Sequence, residues 1–158
     1  MKIKTLIPSL ILIFSSCTIL DVEHYSIDPR LKVFVDDFYS DAWRFKVNLQ
    51  KERLYVIVED YGNLDRAGLS FGGDDIRSIS ISKKLIDNYE LKKDSLSFYK
   101  IKYTVYHELG HALLYREHEN ENTKSIMTAN SEWESVFSCE CAYKNGEREF
   151  LIRELFKR

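Results

Sequence analysis

His107, Glu108 and His111 stand in the run His107-Glu108-Leu109-Gly110-His111. Residues four apart lie one above the other on one face of an α-helix, so the two imidazoles are placed to share a single metal ion. Glu108 projects beside that ion rather than onto it, from where it can take a proton from a metal-bound water. The chain has only four histidines, and three of them, His107, His111 and His118, fall within twelve positions. That concentration favours a metal centre over a helix carrying unrelated surface and core histidines. Zinc that does chemistry takes three protein ligands, leaves a fourth position to water, and lowers the pKa of that water to about 7. With Glu108 as proton acceptor, such a set hydrolyses an amide bond without a covalent intermediate. Neither a Ser-His-Asp set nor a cysteine nucleophile is needed to account for these residues.

The third ligand is a question of helix length. On an unbroken helix His118 would sit about 16 Å along the axis from His107, too far for one ion. The helix must therefore end between Leu113 and Arg116 and the chain turn back, so that His118 meets the ion. The alternative is a carboxylate from the next helix, Glu132 or Glu134.

The elements that carry these residues are read from periodicity. Asp94 or Ser95 can cap a helix whose residues Phe98, Ile101, Val105, Leu109 and Ala112 repeat at three and four positions and face the core. His107 and His111 then lie on an adjacent, partly open face. Residues 31, 34, 35 and 38 give an earlier helix. Leu54 to Val58 reads as a buried strand, and 77–82, alternating polar and apolar, as a strand with one face buried. The glycine-rich stretch 61–75 reads as loop, 83–88 as a short helical turn, and 117–124 as loop. Ser131 can cap a helix through about Tyr143. After Asn145-Gly146, apolar residues at 150, 151, 152, 155 and 156 give a last helix. The fold class expected is α+β: a small mixed sheet packed on a long zinc-binding helix, with C-terminal helices.

This pattern resembles the metzincin clan of zinc peptidases, the matrixins in particular, over about residues 50–130 and most specifically over 107–127. In that clan the two-histidine helix ends at a glycine, a third histidine follows, and a methionine turn underlies the metal. The resemblance implies zinc ligands His107, His111 and His118, the base Glu108, and a turn at Ser125-Ile126-Met127 with Met127 beneath the site. It also implies that strand 77–82 is the edge strand that binds substrate. Two positions depart from the pattern: the turn glycine falls on Leu114, and the third histidine falls on Glu117, with His118 one residue late. The gluzincin type, using Glu132 or Glu134, is the other zinc-peptidase architecture open to this sequence.

Residues 1–16 read as an export signal. Lys2 and Lys4 precede an apolar stretch, Leu6 to Phe14, that is too short to span a bilayer. Phe14-Ser15-Ser16-Cys17 resembles a bacterial lipoprotein signal, which implies lipidation of Cys17 and a place in the cell envelope outside the cytoplasm. A tether over 17–30 and a single domain over 31–158 follow, since 158 residues with 44% hydrophobic content suit one core. A formal net charge of −2 without a basic block gives no reason to expect nucleic acid as a partner. The partners expected are a protein or peptide substrate and, through the lipid, a membrane; the chain is expected to be a monomer. Cys139 and Cys141 are separated by one residue, so a bridge between them would be strained, and free or buried thiols are at least as reasonable. Two other functions are compatible with the sequence: an envelope lipoprotein whose metal is structural, and a zinc hydrolase of a non-peptide amide.

Overall fold

Leu54–Glu59 is built of β-branched and aromatic residues that fit a pleated, half-buried surface, and it forms the strand around which the sheet assembles. In a computed structural model of the chain, residues 26–49, 53–64, 66–73, 76–129, 131–139 and 146–157 are described, with 131–133 as backbone only. The export signal 1–16, Cys17, Cys141, the expected helix end at Tyr143 and the side chain of Glu132 lie outside them.

The described residues form an α+β fold. In chain order they give β1 (Ser26–Ile27), α1 (Lys32–Arg44), β2 (Leu54–Glu59), β3 (Gly68–Gly72), β4 (Arg77–Ser82), α2 (Lys83–Lys92), α3 (Ser95–Leu114), α4 (Ser131–Ser138) and α5 (Glu147–Leu155). The sheet is mixed, with spatial order β1-β2-β4-β3. β1 and β4 flank β2 in parallel, Val56 opposite Ile79, while β3 runs antiparallel to β4 with Ser70 opposite Ile79. Sheet pairing begins at Ser26, inside the stretch expected to be tether.

Two expectations about the sheet are corrected. Residues 77–82 do form a strand, β4, but it is interior, paired on both sides. It is therefore not the edge strand, and Ile79 through Ser82 are all buried instead of alternating. The edge beside the helix is β3, in the segment read as loop, because Gly68, Gly72 and Ser70 hide the short alternation of Leu69 and Phe71.

α3 packs across β3 and β4, with α1, α2 and α4 against its other sides. Its start is the one expected: the Asp94 side chain accepts from the Ser97 N–H at 2.7 Å and satisfies one of the orphan donors of the first turn. Ile101, Val105, Leu109 and Ala112 are buried as the spacing requires. Tyr103, Thr104, Tyr106, Glu108 and Gly110 are buried as well, because neighbours surround the helix. Tyr106 shows how a polar group is accommodated on that second face: its hydroxyl donates to Asp41 of α1 at 2.7 Å. α2 runs past the expected short turn to Lys92 and closes with Lys93 in the left-handed conformation. One core cluster joins all layers, from Phe34 and Phe38 of α1 through Val56, Ile79, Leu109, Ile126 and Met127 to Leu155 and Phe156.

Candidate metal centre

α3 ends at Leu114, within the interval that His118 requires. Tyr115 caps it in the left-handed conformation, φ 55° and ψ 32°, with its N–H bonded to the Gly110 carbonyl. The Arg116 N–H also reaches that carbonyl, at 3.1 Å. The left-handed turn thus falls at Tyr115, one residue after Leu114, just as His118 falls one residue after Glu117.

The turn brings His118 back to the helix. His107 Nε2 lies 3.1 Å from His118 Nε2 and 3.2 Å from His111 Nε2. One ligand atom from each of the three lies within 4.8 Å of the other two, the only group of this kind placed to hold a metal ion among the described residues. Glu134, offered by the sequence as an alternative ligand, lines the same cleft but is paired with Lys100 at 3.1 Å. His118 completes the group instead.

Protonation decides whether these contacts are hydrogen bonds. His107 Nδ1 lies 2.7 Å from the Ile126 carbonyl, and His111 Nδ1 lies 2.6 Å from the Arg116 carbonyl. A carbonyl can only accept, so both Nδ1 atoms carry the proton and both Nε2 atoms of the neutral rings present lone pairs. Two lone pairs 3.2 Å apart repel, and a cation between them removes the conflict. Nitrogens bound to one tetrahedral zinc sit about 3.3 Å apart, so the spacing of this donor set fits the ion. Burial pushes His107 down to about 4, assisted by His111 and His118 and opposed by the bond to Ile126. Burial likewise lowers His111. Both rings are therefore neutral at pH 7, the form a metal needs.

Glu108 is buried on the other side of the helix crest, against β3. A Cβ built on Gly68 would stand 2.8 Å from its Cγ and its Oε1, so only glycine lets the strand lie over this carboxylate. Burial raises Glu108 to about 7, while a hydrogen bond with Ser70 and the charge of Arg66 act the other way. The three histidines, Glu108, Ala67 to Ser70 of the edge segment, Tyr103, Thr104, Thr128, Ala129 and Glu134 line one cleft of about 540 Å³. A larger cavity of about 670 Å³, between the end of α3 and the C-terminal residues, contains none of the histidines.

Met127 is fully buried beneath the helix. Its sulfur would be 2.5 Å from a Cβ on Gly110, so the glycine inside the His-Glu-Leu-Gly-His run is where the methionine fits. Met127 N–H donates to Ser125 Oγ at 3.1 Å, and the Glu119 N–H donates to the Met127 carbonyl at 3.0 Å, tying the segment after His118 to the methionine segment. The sequence reading missed Gly68, Ser70 and Gly110. A glycine inside a helix costs about 1 kcal/mol relative to alanine, and that was the available signal of a close approach at Gly110.

Cys139 is disulfide-bonded and so is not the free thiol that the sequence also allowed. No helix of the described residues is long and apolar enough to cross a membrane. Comparison of the chain with family models, with characterised proteins and with solved structures finds no match.

Proposed function

We propose that the chain is a zinc-dependent peptidase of metzincin-like design, with His107, His111 and His118 holding the ion and Glu108 acting as the base. The observation that carries this reading is the convergence of three imidazoles with their outer nitrogens committed to carbonyls, beside a carboxylate facing the same cleft. A purely structural metal site has no use for a base of that kind. When bound, zinc supplies a Lewis acid for the scissile carbonyl and lowers the pKa of water. Glu108 accepts the proton of the attacking water and returns it to the leaving amine. β3 is one of the two edge strands and borders the cleft, so an extended substrate chain can add to it by main-chain hydrogen bonds. The substrate is accordingly a protein or peptide in extended form.

The place of action proposed is the cell envelope, with the mature chain, a monomer, held by a lipid on Cys17. A disulfide at Cys139 supports a compartment outside the reducing cytoplasm.

The deciding experiment is zinc analysis together with cleavage of a peptide library by the parent and by Glu108→Gln. The variant should keep one zinc per chain and lose at least about a hundredfold in turnover, since only the proton acceptor is removed. Equal cleavage by both proteins overturns the assignment of Glu108. Stoichiometric zinc with no cleavage by the parent overturns the peptidase assignment and favours the lipoprotein with a structural metal or the hydrolase of a non-peptide amide.

A further inference from the structure

The carbonyls that orient His107 and His111 belong to two different loops, and one carboxylate from the last helix is bonded to both loops. Glu154 of α5 accepts from Arg116 through one oxygen, Nη2 to Oε1 at 3.2 Å, and from Ser125 Oγ through the other, at 2.7 Å. The Arg116 carbonyl accepts from His111 Nδ1–H, and Arg116 precedes His118 by two positions. On the other arm, Ser125 Oγ accepts from Met127 N–H, and the Ile126 carbonyl between those residues accepts from His107 Nδ1–H. The circuit is closed: His111, Arg116, Glu154, Ser125, Ile126 and His107 are joined without a gap.

The Arg116 guanidinium reinforces the same arm. It donates to the α5 carbonyls of Glu154 at 3.4 Å and Leu155 at 3.0 Å, to that of Lys157 at 3.3 Å, and to the Glu119 carboxylate. These bonds satisfy the orphan carbonyls at the end of α5. They also fix both ends of the Arg116–Glu119 segment that carries His118. Ser125 is fully buried, which leaves its hydroxyl no solvent alternative to Glu154.

We infer that Glu154 is a positioning residue of the metal centre, setting the separation of the two carbonyls that aim His107 and His111, so that α5 is part of the site and not only a lid on the core. This rests on the three-histidine metal reading. Groups bonded directly to metal ligands typically contribute ten- to a hundredfold in affinity by holding ligand orientation; Glu154 acts one bond further back, through Arg116 and Ser125, so the lower end of that range applies.

The test uses the full chain and three variants. Glu154→Gln keeps the shape but has a single acceptor oxygen, Ser125→Ala cuts one arm, and Glu149→Gln on the same helix is the control, since Glu149 pairs outward with Arg44. Zinc affinity is measured by chelator competition, the visible spectrum of the cobalt-substituted protein reports ligand geometry, and melting of the metal-free protein reports the fold. Glu154→Gln and Ser125→Ala should each weaken zinc about tenfold or more and alter the cobalt bands, with Glu149→Gln unchanged in both. If Glu154→Gln lowers only the metal-free melting temperature and leaves affinity within twofold and the cobalt bands intact, Glu154 is structural and the inference fails. Should Glu154→Gln not fold, Ser125→Ala decides by the same readouts. Absence of zinc binding by the parent, or its indifference to His118→Ala, overturns the metal reading itself and is told apart from failure of this inference by the parent arm.

Discussion

At Gly110 a hydrogen atom stands where any other residue would place a carbon, and the Met127 sulfur occupies the space. Alanine is the better helix former by about 1 kcal/mol, so propensity alone would make Gly110→Ala stabilising. Packing opposes it. The added carbon would lie 2.5 Å from the sulfur and 3.1 Å from Leu155 Cδ1, both belonging to buried residues. Overpacking of this kind costs roughly 1–3 kcal/mol, which outweighs the propensity gain. Gly110→Ala is therefore expected to be net destabilised in urea melts and to bind zinc more weakly, because Met127 adjoins the carbonyl that orients His107. Gly72→Ala, with nothing within 4 Å of the new carbon, should be near neutral. An unchanged or raised stability of Gly110→Ala would show that the methionine does not pack against the helix in this way.

The element on which the site depends most is the end of α3, where a tyrosine does what a glycine ordinarily does. Tyr115 at φ 55° pays a steric penalty between its Cβ and the following carbonyl, a penalty largest for β-branched residues and small for asparagine. Its ring is mostly exposed but stacks on the Arg77 guanidinium at 4.5 Å. Tyr115→Val and Tyr115→Asn both remove that stack, so their difference isolates the backbone. Val should be about 1–2 kcal/mol less stable than Asn in chemical denaturation; equal stabilities would mean the turn adopts another conformation. The sequence made α3 legible because a cap, a spacing of three and four, and the geometric demand of His118 agreed on its limits. β3 was not legible, since Gly68 is there to clear Glu108 and glycine reads locally as loop. Nor could the position of β4 be read: an alternating strand gives its faces, whereas interior or edge placement depends on partners far along the chain. The bonds joining Ser125 and Arg116 to Glu154 were hidden for the same reason, being made across some thirty to forty positions.

At the scale of the whole molecule, the candidate metal centre is built directly onto the hydrophobic core. Leu109 of the ligand helix, Ile126 and Met127 of the underlying turn, and Leu155 of α5 belong to one cluster with Phe38 and Tyr106. A metal that holds His107, His111 and His118 together should therefore register in global unfolding and not only in the fraying of one loop. A ligand present at a hundredfold over its dissociation constant stabilises the folded state by about 2.7 kcal/mol. For a domain of this length, each kcal/mol moves the midpoint by roughly 2–4 °C. Removing zinc with a chelator should thus lower the melting temperature by roughly 5–10 °C in a single cooperative transition, and restoring zinc should reverse the shift. His118→Ala should abolish most of this response, because two histidines on α3 leave the ion without the ligand that links it to the returning chain. Glu117→Ala, altering an exposed neighbour, should retain it. Equal zinc responses in the two variants would remove His118 from the ligand set and return the choice to a carboxylate of the following helix.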